Sequence, residues 1–234
     1  CTKVGPGCDN CYAERFAERW RGIDGHPYEQ GFDLRLWPSR LDQPKGWKKP
    51  RMIFVNSMSD LFQKEIDRSF IDQVFDVMEM ANWHVYQVLT KRSSLMQKYL
   101  EKRYADQPVP VHIWLGVYVE DRAHSGRINH LRQVNSEARF ISFEPLIGRV
   151  GDIDLTDISW AIVGGESGPK ARPMALDWAT ELRDICRRDG VEFFFKQWGG
   201  PRPKSGGREL EGVEWNGFPW NIVPAPILQR LRVA

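Results

Sequence analysis

The sequence predicts an α/β fold, a partial parallel β/α barrel wrapped by outer helices, and three observations carry that expectation. From Arg51 onward, short apolar runs alternate with amphipathic stretches, and their starts fall roughly 20 to 35 residues apart, the rhythm of repeated βα units. Most of these runs are rich in β-branched or aromatic residues and poor in charge, as strands covered on both faces are. Polar residues gather at the C-terminal end of nearly every run. A doubly wound sheet would concentrate them at one switch point, whereas a β/α barrel spreads them over all its strand ends.

Each element has its own local reason. Residues 1–11 read as a loop with Gly5, Pro6 and Gly7 at its turns, followed by a helix over Tyr12–Arg21. Residues 22–50 carry scattered Gly and Pro with weak periodicity and are expected to form an insertion or loop excursion. The strands are expected at Met52–Asn56, Val85–Thr90, His112–Val117, Arg139–Phe143, Trp160–Gly164 and Val191–Gln197. After Asp67, a candidate N-cap, Ile66, Phe70, Ile71, Val74, Phe75 and Met78 repeat at helical spacing. Leu95, Met96, Tyr99 and Leu100 form a shorter stripe; Trp178, Leu182, Ile185 and Cys186 form another, ended by Gly190 as a C-cap. The tail, 200–234, is loop-rich, with Pro201, Pro203, Gly206 and Gly207. The whole of 1–234 is expected to be a single domain. The chain opens on Cys1 rather than methionine, which reads as a piece of a longer protein with structure missing upstream.

With 234 residues, 41% of them hydrophobic and 27% charged, the chain can bury a sizeable core. No apolar run approaches the ~18 residues a membrane span needs, so no membrane partner and a cytoplasmic location are expected. A net charge of +2 does not mark a dedicated nucleic-acid binder, but basic clusters occur at Lys48–Arg51, Lys91–Arg92, Arg187–Arg188 and Arg202–Arg208. Ten tryptophans are many for this length; most should pack, and some are candidates for stacking on bases.

Chemistry concentrates in the first eleven residues, where Cys1, Cys8 and Cys11 form a C-x6-C-x2-C loop. Clustered thiolates suit a soft metal or an iron–sulfur cluster. Three of them would leave one iron of a four-iron cluster open, whereas a closed structural zinc site wants four ligands. A zinc site completed by a distant residue such as His26, or three reduced thiols without metal, are the plainer alternatives. Cys186 stands far away on a helix face and is assigned to packing alone.

The three-cysteine loop, the helix after it and the βα units with polar strand ends resemble the radical S-adenosylmethionine superfamily. More closely, Cys1–Arg21, Phe54–Asp60, Gln87–Arg92 and Ile162–Gly168 are similar to a phage-associated family of radical-SAM-like proteins. Within the superfamily the spore photoproduct lyases are similar too, through an Asp motif after the second strand and a Thr-Lys pair ending the third. The resemblance implies a partial TIM-type barrel of the radical SAM kind. It also implies a [4Fe–4S] cluster on Cys1, Cys8 and Cys11, S-adenosylmethionine as cofactor, and hydrogen abstraction from a substrate. An electron-donor protein, a separately encoded partner protein and a nucleic acid or nucleotide substrate follow as expected partners. A zinc- or cluster-stapled module that only binds nucleic acid is the alternative.

The sequence departs from the superfamily twice. The usual cysteine spacing there is C-x3-C-x2-C, and its Gly-Gly-Glu motif follows an earlier strand than Gly164-Gly165-Glu166 does here. By position Ser57, Ser59 and Asp60 are the better match for the ammonium of S-adenosylmethionine, and Lys91 for its carboxylate. Gly116 and Gly164 would permit close approach of the base or ribose. Gly165 and Glu166, ending an apolar run, complete the candidate cofactor-binding set. The plainer alternatives are a helix cap for Asp60, a solvated cation for Lys91 and a loop carboxylate for Glu166.

Overall fold

The computed structural model describes residues 1–202 and 204–231, so Pro203 and residues 232–234 of the expected tail lie outside the described residues. The elements run in order α1 (Tyr12–Glu18), α2 (Gln43–Gly46), β1 (Met52–Val55), α3 (Arg68–Met80), β2 (Val85–Thr90), α4 (Ser93–Arg103), β3 (Ile113–Tyr118) and α5 (Arg127–Gln133). They continue with β4 (Arg139–Phe143), β5 (Trp160–Gly164), α6 (Leu176–Asp189), β6 (Glu192–Gln197), β7 (Glu209–Leu210), β8 (Val213–Glu214) and α7 (Ala225–Leu231). Strands β1 to β6 form one parallel sheet in sequential order, with each strand paired to the next. The sheet curves into a half-barrel; among the described residues β1 and β6 do not pair with each other.

Successive side chains on a strand point to opposite faces, and that alternation sorts the sequence into two cores. Ile113, Leu115 and Val117 of β3, Ile141 and Phe143 of β4, and Ala161 and Val163 of β5 face the main core. There they meet Phe75 and Met78 of α3, Met96 and Leu100 of α4, and Leu182 and Cys186 of α6. The other face is a trough. Met52, Val85, Leu89, Trp114, Phe140, Trp160, Ile162 and Phe194 line it, and its lower half is filled by Phe218, Ile222, Val223, Ile227 and Leu228 from the tail. The Phe218 ring lies 5.1 Å from that of Trp160 and 5.5 Å from that of Trp114, and Trp160 Nε1 donates to the Gly217 carbonyl at 2.9 Å.

The expected strands hold to within a residue at their ends. Asn56 falls just past β1, where its φ of 59° turns the chain, and His112 and Val191 precede β3 and β6. Helix α1 ends at Glu18, short of the expected Arg21. Gly190 caps α6 in the left-handed conformation, φ 70°, as its position predicts. One interval breaks the βα rhythm. No helix joins β4 to β5; Leu146, Val150, Leu155 and Ile158 of that connection are buried in the main core and cover the sheet there instead. The 22–50 excursion holds only short turns and α2, and sends Leu36 against the core.

Cys186 is fully buried on α6, and burial pushes its thiol up to about 12, so it stays a neutral hydrophobe. Cys186→Ala should therefore cost only about 1 kcal/mol through a small cavity. Urea denaturation checks this, and a loss several times larger would refute packing as its sole role.

Candidate active site

The C-terminal strand ends open into a cavity of about 950 Å³. Its inner wall is the upper trough, with Phe54, Leu89, Tyr118, Phe140, Ile162 and Phe194, and its outer wall is the cysteine loop and α1. Cys1, Cys8 and Cys11 all line it, half-buried and outside any disulfide. Cys8 closes a 3-10 turn over Pro6–Cys8, and Cys11 is the N-cap residue of α1. Among the described residues no three His, Cys, Asp or Glu side chains converge as a metal-ready group, so the three thiols share a space without closing around a point. The donor set nonetheless fits a soft metal cluster, being three sulfurs on one short loop facing a common void. His26, the distant fourth-ligand candidate, stacks on Trp20 at 4.2 Å between ring centroids and is not among the lining residues.

Two charged clamps hold that loop. At its start Arg92 donates to the Thr2 carbonyl and hydroxyl, both at 2.8 Å, while its Nη1 sits 3.0 Å from Asp60 Oδ2. Asp60 also accepts from Thr90 Oγ1 at 2.7 Å and from the amides of Phe62 and Lys91 at 3.0 and 3.1 Å. At the far end buried Glu166 accepts from Asn10 Nδ2 at 2.9 Å and from Arg172 Nη2 at 2.7 Å, and Arg172 reaches on to the Pro6 carbonyl at 2.7 Å. Burial raises the Glu166 carboxyl, but the Arg172 and Asn10 hydrogen bonds outweigh it and hold the group below the usual carboxylate range.

Beneath the loop lies fully buried Glu120, paired with Lys91 Nζ at 2.8 Å and Arg127 Nη1 at 2.7 Å. Gly7 rests directly on it: a Cβ there would stand 2.5 Å from Glu120 Oε1. Burial raises the Glu120 carboxyl, and the neighbouring Lys91 and Arg127 charges more than reverse this. Lys91 Nζ also lies 3.7 Å from the centre of the Tyr118 ring, a cation–π contact with a phenol that burial keeps protonated. Across the cavity Glu144 pairs with Lys196 at 3.0 Å and accepts from Ser142 Oγ at 3.1 Å.

The expected site residues thus divide. Ser57, Ser59, Asp60, Lys91, Gly165 and Glu166 line the same cavity as the three cysteines. Asp60, Lys91 and Glu166 reach it with their charges already matched inside the protein. Gly116 and Gly164 are not among the lining residues: the Phe140 ring lies over Gly116, 2.4 Å from where a Cβ would be, and Glu144 Oε1 lies over Gly164 at 2.6 Å. Arg92, Glu120, Glu144 and Lys196 belong to the polar strand-end groups that the sequence displays, but their partners and roles are not readable from it, and Arg172 escapes sequence reasoning altogether.

A half-barrel of parallel strands with a cavity at its C-terminal edge defines the architecture of a partial β/α barrel, the edge at which such folds build their sites. A family model described as "Protein of unknown function (DUF5131)" matches residues 1–219, and the chain belongs to that family. No curated protein and no solved structure matches it. Among the described residues no helix is long and apolar enough to cross a membrane.

Proposed function

We propose that this chain is a radical S-adenosylmethionine enzyme in which Cys1, Cys8 and Cys11 hold a [4Fe–4S] cluster. The observation that carries the reading is the shared cavity, where three thiols of one short loop face the polar ends of six parallel strands. When bound, the cluster and S-adenosylmethionine supply one-electron cleavage and hydrogen abstraction. The chain's own residues bind, orient and exclude water. The Asp60–Arg92 and Glu166–Arg172 clamps fix the two ends of the cysteine loop. Ser57 and Ser59 offer hydroxyls to the amino acid portion of the cofactor, and the Glu144–Lys196 pair offers one charge of each sign to its ammonium and carboxylate. Gly165 brings backbone to the cavity wall, and the aromatic trough keeps the interior dry. The reading brings with it an electron-donor protein and a reducing, cytoplasmic setting, in which thiols stay unpaired.

Anaerobic reconstitution is the test. About four irons per chain and a broad absorbance near ~400 nm are expected, lost in Cys1→Ala, Cys8→Ala and Cys11→Ala and kept in Cys186→Ala. A colourless chain holding zinc and no iron would replace the enzyme reading with that of a metal-stapled binding module.

A further inference from the structure

Helix α1 turns an unusual face to solvent at the mouth of the cavity. Tyr12 is 58% exposed, Phe16 42% and Trp20, just past the helix, 36%. Their spacing of four puts them in a row. The rings are not loose. The Tyr12 hydroxyl donates to the Ser57 carbonyl at 2.8 Å, and the Phe16 ring meets that of Tyr28 edge-on at 5.6 Å. Tyr12 and Phe16 both line the cavity, so the row begins inside it and runs outward.

Cations flank the row. Arg15, Arg19 and Arg202 also line the cavity, and among the described residues none of them has a carboxylate partner. Arg15 is held in place by the Ser167 carbonyl, 3.0 Å from its Nη2. The acids of α1 are occupied elsewhere: Glu14 pairs with Lys3 at 2.9 Å, and Glu18 pairs with Arg21 and accepts from the Phe32 amide. The rim is therefore locally positive although the chain as a whole carries only +2.

Flat rings alternating with unpaired guanidinium groups match one ligand chemistry well, a strand of unstacked bases joined by phosphates. We propose that this rim binds single-stranded nucleic acid, with bases laid on Tyr12 and Phe16 and phosphates on Arg15, Arg19 and Arg202. Such a strand would be the substrate of the chamber described above, and to that extent the assignment rests on that reading. A duplex fits less well, because its bases are stacked away from any protein ring.

Fluorescence anisotropy with labelled single strands of about a dozen nucleotides, DNA and RNA in separate arms, tests the assignment. A duplex and an abasic strand of equal length serve as probes of phosphate binding alone. One or both single strands should bind more tightly than the duplex and the abasic strand. Phe16→Ala should weaken binding roughly tenfold, Phe16→Trp should retain it, and Arg19→Gln should lower the salt slope by about one. Equal binding of the abasic strand, an unchanged Phe16→Ala variant or no binding at low salt would overturn the assignment. Iron content and strand binding read on the same reconstituted parent chain separate the two readings: iron without strand binding sinks only this one, and strand binding without iron sinks only the other, while Cys8→Ala should lose iron and still bind the strand.

Discussion

Glu120→Ala should cost about 3–5 kcal/mol of stability, because it leaves two buried cations without their common partner. Lys91 and Arg127 both point at this carboxylate, and both are largely shielded from water. Glu120→Gln keeps the volume and some hydrogen bonding, so its loss should be smaller, though still measurable by urea denaturation. The effect should reach the cysteine loop, since Gly7 sits directly on the Glu120 side chain. Acid should reproduce part of it. The folded carboxyl lies below its ordinary value, so its contribution is complete above an unfolded pKa of ~4.3 and fades as pH falls through the lower folded value. Stability of Glu120→Gln should accordingly fall less steeply than that of the parent between pH ~5 and pH ~3. Equal stability of Glu120→Ala and the parent chain would remove Glu120 as the support of the loop.

Gly165→Ala should be nearly as damaging, at about 3 kcal/mol, through overpacking against atoms that cannot retreat. A Cβ at Gly165 would lie 1.9 Å from the Trp198 carbonyl oxygen and 2.7 Å from its carbon, both backbone atoms. The Gly165 amide donates to the Gln197 carbonyl at 2.9 Å, so separating the two chains would also break the join between the ends of β5 and β6. The neighbouring Gly164→Ala makes a sharp control. Its Cβ would meet a Glu144 carboxylate oxygen at 2.6 Å, the end of a flexible side chain, and the loss should stay below about 1.5 kcal/mol. If the two substitutions cost the same by thermal or urea unfolding, close approach of backbone at Gly165 is not what that glycine provides.

The strands were legible because apolar runs of five or six residues with turn residues between them leave few other structures open. Their parallel order followed from the helical stretches that must carry the chain back. The β4–β5 connection defeated that logic. Leu146, Val150, Leu155 and Ile158 are too widely and irregularly spaced for a helix, yet they bury as well as a helix face would. At the site, residue type and strand-end position sufficed to bring Ser57, Ser59, Asp60, Lys91, Gly165 and Glu166 to one cavity with the cysteines. What their charges do there was not legible. Asp60 and Arg92 are 32 positions apart in sequence yet meet at 3.0 Å, and Glu120 meets Lys91 only because β2 and β3 are neighbours. Glycine was also read too simply. Gly116 yields its space to the Phe140 ring, a neighbour from β4 that no local pattern announces.

The aromatic filling of the lower trough has a consequence for traffic. With Phe218 wedged against Trp114 and Trp160, the half-barrel is a cup and not a tunnel. The lower end of the trough is thereby closed to traffic. On the function proposed above, a polymer could not be threaded through that closed end; it would have to lie across the lip and dip a single unit inward.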